Sequence, residues 1–326
     1  MNKNIVLGLE GTAWNLSAAI VEEDKILSEY SQPYKPVEGG IHPRDAAQSH
    51  VANMKKVIST VLDKANIDPK DINGVAFSIG PGMGPCLRTV ATAARALSLL
   101  LNAPLIGVNH CIAHIEIGKW LTGAKNPLIL YVSGANSQVI ALRNRRYNIY
   151  GETLDIGVGN AIDKFSRAFD IKHPGGPKIE ELAQKGEKYI KLPYVVKGMD
   201  FSFSGLVTAA INAATKESLE DVSFSFQENA FSMLVEVTER SLAYTDRDEL
   251  LLTGGVGANS RLREMLNIMC EERDVRFFVP DKKYMGDNGV MIAYTGLLML
   301  KSGMTIRLED STVRPNFRPD EVVVGW

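Results

Sequence analysis

An internal repeat constrains this chain more than any other feature. The segment IVLGLEGTAWNLSAAIV from Ile5 aligns with LILYVSGANSQVIALR from Leu128, which places Gly11 on Gly134 at an offset of 123 residues. Each copy is an apolar strand, a glycine beside a small hydroxyl or amide residue, and a return strand. A hairpin turn built on glycine offers backbone N–H groups where no Cβ blocks close approach. Two such hairpins predict two related halves that hold a phosphate between their turns. Glycine hairpins are also common in proteins that bind no nucleotide, so the repeat needs support from elsewhere. The length of 326 residues fits two domains.

Strands alternate with helices along both halves, which predicts an α/β fold. Apolar residues recur at Ala47, Val51, Met54, Ile58, Val61 and Ala65, a helical spacing. GVAFSIG (Gly74 to Gly80) reads as a buried strand followed by the PGMGP loop and a helix from Leu87 to about Leu101. PLIGV from Pro104 is a strand, and His110 to Leu121 a helix. In the second half, LILYVSG and VIALR flank a turn at Ala135 and Asn136. NAIDKFSRAF and PKIEELAQK read as helices, and a long one covers about Val222 to Tyr244. ELLLTGGVGAN is a strand and glycine turn that opens a helix at Ser260. VRFFVP is a strand, and a final helix starts at Asn288.

Composition excludes several classes. The net charge is −2, which argues against nucleic-acid binding through bulk charge and leaves room for a local patch or a basic partner. Three widely separated cysteines, Cys86, Cys111 and Cys270, imply no disulfide framework. The N-terminus lacks a signal-like apolar run, and the apolar stretch GVMIAYTGLLML is too short to span a bilayer. The expected setting is cytoplasmic, with no membrane contact.

His110 and His114 give the sharpest local signal. Four residues apart on a helix, both imidazoles share one face and can chelate one metal. Cys111 stands where a metalloprotease would carry its glutamate. Two histidines are an incomplete set, and Tyr131 or Asp287 can complete it; two helix histidines with structural hydrogen bonds fit the same pattern. TGGVGANSRLREML (Thr253 to Leu266) suits an anionic or nucleotide ligand, although capping by Asn259 explains it equally. In HPGGPKIEE (His173 to Glu181), the backbone at Gly175 and Gly176 is open to a ligand. Glu180 and Asp163 can each accept from a sugar diol; a solvated helix face and a dipole-favoured early acid are the plain alternatives. GGIHPRD (Gly39 to Asp45) places His42 and Arg44 in a loop. The serines of MDFSFSGL (Met199 to Leu206) read as helix caps, RNRRY (Arg143 to Tyr147) as a solvated basic cluster. Lys282 and Lys283, near Asp287, can face a phosphate backbone.

Together, GLEGTA at Gly8, GGIHPR at Gly39, GPGMGP at Gly80, NHCIAH at Asn109, YVSGANSQ at Tyr131, GETLDIGVGNAID at Gly151, HPGGPKIE at His173, MDFSFSG at Met199, TGGVGANSRLREM at Thr253 and DNGVMIAYTG at Asp287 resemble one family over nearly the whole chain. It is the archaeal and eukaryotic tRNA threonylcarbamoyladenosine transferase family, the catalytic subunit of the KEOPS complex, once labelled O-sialoglycoprotein endopeptidase. The resemblance implies an actin-like ATPase fold of two tandem ribonuclease-H-like lobes. Lobe I would take residues 1–126 with 297–326 packed back on it, and lobe II residues 127–296. It implies one iron or zinc ion held by His110, His114, Tyr131 and Asp287, with His110, His114 and Asp287 catalytic. It also implies an adenine nucleotide site (ATP or threonylcarbamoyl-adenylate) lined by Tyr131, Val132, Ser133, Gly134, Ala135, Asp163, Gly176, Glu180 and Asn259, with Gly11 and Thr12 at the first turn. The implied partners are tRNA, the other KEOPS subunits including a separate small protein kinase, and a separate adenylate-forming enzyme.

The chain departs from the family pattern at Ala135, Ser137, Trp14, Met285 and Gly286. A methyl at Ala135 crowds the turn if that residue needs a positive φ, and Gly286 is expected to loosen the loop before Asp287. A metalloprotease, a sugar or acetate kinase and a non-catalytic nucleotide-binding scaffold are the alternative readings. Near-zero net charge and a tRNA substrate agree only if partners supply most of the affinity. The chain alone is therefore expected to bind tRNA weakly, with strong salt dependence.

Overall fold

A computed structural model describes residues 4–36 and 40–326; Gly39 of the GGIHPRD stretch lies outside them. The first half runs β1 (Ile5–Glu10), β2 (Asn15–Glu22), β3 (Lys25–Pro33), α1 (Pro43–Ala65), β4 (Gly74–Gly80), α2 (Gly84–Leu101), β5 (Leu105–Asn109) and α3 (His110–Thr122). The second runs β6 (Leu128–Val132), β7 (Ser137–Arg143), β8 (Arg146–Glu152), α4 (Val158–Arg167), α5 (Gly176–Ala183), a short hairpin β9 (Val196–Lys197) and β10 (Asp200–Phe201), α6 (Ser204–Ala213), α7 (Leu219–Thr245), β11 (Glu249–Thr253), α8 (Ser260–Glu272), β12 (Arg276–Phe278) and α9 (Gly289–Lys301).

The two halves share one topology. The first sheet has the order β3-β2-β1-β4-β5 and the second β8-β7-β6-β11-β12. In each, three antiparallel strands are followed by two that join in parallel. This is the duplication that the repeat predicts, in the actin-like arrangement that the family resemblance implies. The sequence reading passed over β3, β8 and the β9–β10 hairpin. RNRRY is the β7–β8 turn and the start of β8, with Asn144 and Arg145 at positive φ.

Strand alternation sorts the core. In β1, Ile5, Leu7 and Leu9 face Val57 and Val61 of α1 and Val90 and Ala94 of α2, while Val6 faces α9 and α3. In β6, Leu128, Leu130 and Val132 face the helices of the second half, while Ile129 and Tyr131 face Cys111, Ile112 and Ile115 of α3. Helix α3 therefore lies between the two sheets, and His110 to Gly118 are all buried. A helix packed on both sides has no polar face, which accounts for its apolar composition.

Helix α9 returns to the first sheet, packing on β1, β2 and β4. Its approach is close: a Cβ on Gly8 would sit 2.3 Å from the Ala293 backbone nitrogen, and one on Gly289 would sit 2.4 Å from the Ala18 carbonyl carbon. The boundary at 297 expected from sequence falls inside this helix, so the return begins at Gly289. The segment after α9 bridges both halves. Ile306 pairs with Leu105, Arg314 N–H donates to the Ile79 carbonyl at 2.8 Å, and Val324 N–H donates to the Arg145 carbonyl at 2.8 Å. No helix among the described residues is long and apolar enough to cross a membrane.

The serines before α6 do not cap it: the N-cap is Phe203, without a side-chain cap. Asp155, from the segment after β8, accepts from the N–H groups of Phe203 and Ser204 at 3.0 Å each, from Ile156 N–H at 2.6 Å and from the Ser202 hydroxyl. Burial raises its pKa, but the Ser202 and backbone hydrogen bonds outweigh that and hold the carboxyl well below the usual range. The stability it adds is present above the unfolded carboxylate pKa of about 4 and is lost as pH falls through the depressed folded value. Asp155→Ala is expected to cost about 0.5–2 kcal/mol at pH 7, the scale of a lost cap. The deficit should shrink on acidification, measured by denaturant unfolding across pH; a deficit constant down to pH 2 would contradict this.

Candidate functional site

Several of the sequence-predicted site residues line one cleft. It has a volume of about 840 Å³ and is lined by Thr12, Trp14, His110, Ser133, Gly134, Ala135, Asp163 and Asp287, among others. At its base, Asn109 caps α3 by accepting from Cys111 and Ile112 N–H at 2.9 and 3.1 Å. That cap starts the helix at His110 and sets His110 and His114 on successive turns, rings 4.8 Å apart and edge to face. Asp287 arrives from the loop before α9. Asn15 of β2 holds its backbone, donating to the Asp287 carbonyl at 2.7 Å, while Asn288 caps α9 by accepting from Met291 N–H. Its carboxylate lies 3.4 Å from His110 Nε2 and 3.1 Å from His114 Nε2.

Ligand atoms of His110, His114 and Asp287 all lie within 4.8 Å of one another, the sole such cluster of three among the described residues. Tyr131 adds its ring 5.5 Å from that of His114, and its hydroxyl is buried without a hydrogen-bond partner. An orphaned buried phenol beside two imidazoles and a carboxylate fits a cation with N/O ligands. Burial alone would lower the His110 pKa, yet the Glu10 and Asp287 carboxylates outweigh it and hold it well above the imidazole range. For His114 burial prevails, and the pKa falls. Burial pushes the Asp287 carboxyl up, but the two histidines overcome it and keep it far below its usual value. The site is thus a buried, charge-coupled cluster at pH 7.

Glu10 is the residue that sequence reasoning missed. It ends β1, is fully buried, and accepts from His110 Nδ1 at 3.0 Å and from Thr12 N–H at 2.7 Å. The available signal was an acidic residue closing an otherwise apolar strand.

Residues of both repeat turns line the cleft. The first is held from behind: Met83 N–H donates to the Thr12 carbonyl, His50 Nε2 to Ala13, and Tyr34 N–H to Trp14, at 2.8–3.0 Å. In the second, Gly159 and Asn160 N–H donate to the Ser133 and Gly134 carbonyls at 3.1 and 2.8 Å. The Thr12, Ala13, Trp14, Ser133 and Gly134 carbonyls are therefore occupied, which suits a face that receives an anion. The glycines differ in purpose. A Cβ on Gly11 would sit 2.6 Å from Val90 Cγ2, so packing requires it; a Cβ on Gly134 would make only ordinary contact, 3.4 Å from Asn160. Gly157 supplies the clearance instead, since a Cβ there would lie 2.5 Å from the Ala135 carbonyl carbon.

The departures from the family pattern are accommodated. Ala135 is not among the residues at positive φ. Ser137 keeps the hydroxyl role, accepting from Val158 N–H at 2.8 Å. Gly286 accepts through its carbonyl from Asn288 Nδ2 at 2.8 Å, which ties the loop down. Trp14 packs edge-on against His173 across the cleft, ring centroids 5.6 Å apart.

The remaining predicted residues form two groups. Asp163 lines the cleft and accepts from His173 Nδ1 at 2.9 Å and Gly175 N–H at 2.8 Å, so it organises the HPGG loop. Gly176 and Asn259 line a separate small pocket with Ile162, Phe226 and Phe231. Asn259 caps α8, accepting from Arg261 and Leu262 N–H, and donates to Gln227. Glu180 accepts from Ser260 N–H at 2.8 Å at the same helix start. A Cβ on Gly176 would meet nothing within 4 Å, so that backbone is open.

The HypF crystal structure from T. kodakarensis shares the fold, with a TM-score of 0.64 at 14% identity over 95% of this chain and 50% of that one. A "Probable bifunctional tRNA threonylcarbamoyladenosine biosynthesis protein" of Methanosarcina mazei is 64% identical over all of this chain, which spans only 60% of that relative's length. The "tRNA N6-adenosine threonylcarbamoyltransferase" of Methanococcoides burtonii is 62% identical over 98% of this chain and 97% of its own length. That of Archaeoglobus fulgidus is 61% identical over 99% of both. The family model TsaD, tRNA N6-adenosine threonylcarbamoyltransferase, matches residues 25–294, and the chain belongs to that family.

Proposed function

We propose that this chain transfers the threonylcarbamoyl group from threonylcarbamoyl-adenylate to N6 of the adenosine beside the anticodon in tRNA, releasing AMP. The observation that carries the reading is the buried His110–His114–Asp287 cluster with Tyr131, at the base of a cleft between two glycine turns, in a chain of this family. A bound iron or zinc ion would supply Lewis acidity to the carbamoyl oxygen. His110, His114, Tyr131 and Asp287 would hold it. The turns at Gly11–Thr12 and Ser133–Ala135 would bind the leaving phosphate, and Asp163 and Glu180 would accept from ribose hydroxyls. Gly176 and Asn259 would border the adenosine. An exocyclic amine is a poor nucleophile, so orientation in the cleft carries much of the rate.

The same reading assigns the chain to a cytoplasmic KEOPS-type assembly with a protein kinase and a separate adenylate-forming enzyme. Its two lobes would be 1–126 and 127–288, with α9 and the C-terminal segment returning to the first. The test is reconstitution with tRNA, ATP, threonine, bicarbonate and those partners, with nucleoside mass analysis of the tRNA. The threonylcarbamoylated adenosine is expected. Its absence with every partner present, while the chain still binds nucleotide, would favour a scaffold role instead.

A further inference from the structure

We propose that Glu10 is a positioning residue that sets the tautomer of His110 and ties the metal cluster to the first hairpin turn. The proposal rests on the metal reading above. Glu10 has no solvent-exposed surface, and a buried carboxylate persists only where it is paired and hydrogen-bonded. Both oxygens are used: one accepts from Thr12 N–H at 2.7 Å, the other from His110 Nδ1 at 3.0 Å.

An ionised carboxylate only accepts. His110 Nδ1 must therefore carry hydrogen, which leaves Nε2, 3.4 Å from Asp287, as the nitrogen that would bind a cation. Metal-bound histidines are commonly oriented in this way through the nitrogen that does not bind. His114 has no equivalent, because its Nδ1 is buried without a partner. Of the two histidines, only His110 has its Nδ1 held by a carboxylate. The same carboxylate also holds the turn that faces the cleft, so turn and ring keep a fixed separation. Thr12 Oγ1, 3.4 Å from His110 Nδ1, closes the triangle.

Glu10→Gln keeps the shape and reverses the chemistry. Its amide oxygen can accept from Thr12, but its NH2 then faces His110 Nδ1 and drives that nitrogen to accept, which moves hydrogen to Nε2. Zinc affinity, read by chelator competition on the full chain, is expected to fall about 10- to 100-fold, with one-to-one stoichiometry kept. Glu10→Asp, which retains a carboxylate, should recover part of the loss; a purely structural role predicts no such recovery. If wild-type protein binds no zinc, the metal reading fails. If wild type binds and Glu10→Gln binds equally well, the positioning role fails alone. Should Glu10→Gln not fold, 15N NMR of the zinc-loaded wild type decides: hydrogen on His110 Nδ1 is expected, and hydrogen on Nε2 overturns the proposal.

Discussion

Replacing His110 and His114 together with alanine is expected to abolish metal retention and to lower threonylcarbamoyl transfer on the order of 10³-fold. Both imidazoles come from one helix, so the double variant leaves only the Asp287 carboxylate and the Tyr131 phenol, whose pKa burial pushes well above its usual value. Those two cannot hold a divalent ion tightly. The loss is several kcal/mol of charge stabilisation on the acyl oxygen. A stability readout should agree: an ion at 100 times its Kd adds about 2.7 kcal/mol to the folded state, so zinc should raise the wild-type Tm and leave the variant's unchanged. Because His114 is fully buried, truncation also leaves a cavity, and Asp287→Asn is the companion that keeps side-chain volume. Full transfer and bound metal in both variants would refute the assignment.

The second large effect separates neighbouring glycines of the TGGVG turn. Gly254 has φ +93°, and a Cβ there would sit 2.3 Å from the Val132 carbonyl oxygen. Gly254→Ala must both adopt a disfavoured backbone and push β6 away, an expected cost of about 3–5 kcal/mol. Gly255 has nothing within 4 Å of its would-be Cβ, and Gly255→Ala should lie within about 0.5 kcal/mol of wild type. Denaturant unfolding of the pair reads the contrast. Equal stabilities would mean that the strand end yields easily and that this glycine serves only a ligand.

Local patterns made most of the fold legible. Apolar runs ending at glycines found β1 and β4, helical spacing found α1, and the offset between Gly11 and Gly134 anticipated two related halves. The histidine pair and Asp287 were readable because residue type, helix spacing and family resemblance agreed. What stayed hidden depended on contacts distant in sequence. Glu10 reaches a residue 100 positions away. The cap on α6 comes from Asp155 and not from the adjacent serines. Gly11 and Gly134 look equivalent in the repeat, yet only the space behind them shows that one is required by Val90 and the other is not. Strand β3 mixes exposed and buried positions without regular alternation, so periodicity had nothing to detect.

The return of α9 to the first sheet has a consequence during synthesis. Helix α3 ends at Thr122 and α9 ends at Lys301, so the ribosome adds about 180 residues between them. At about 5–20 residues per second, the face of Val6, Gly8 and Ala76 waits roughly 10–40 s for its cover. The second half is continuous in sequence and can close first. The nascent first half should therefore be the stretch that binds chaperones, and a ribosome stalled before Gly289 should hold it protease-sensitive.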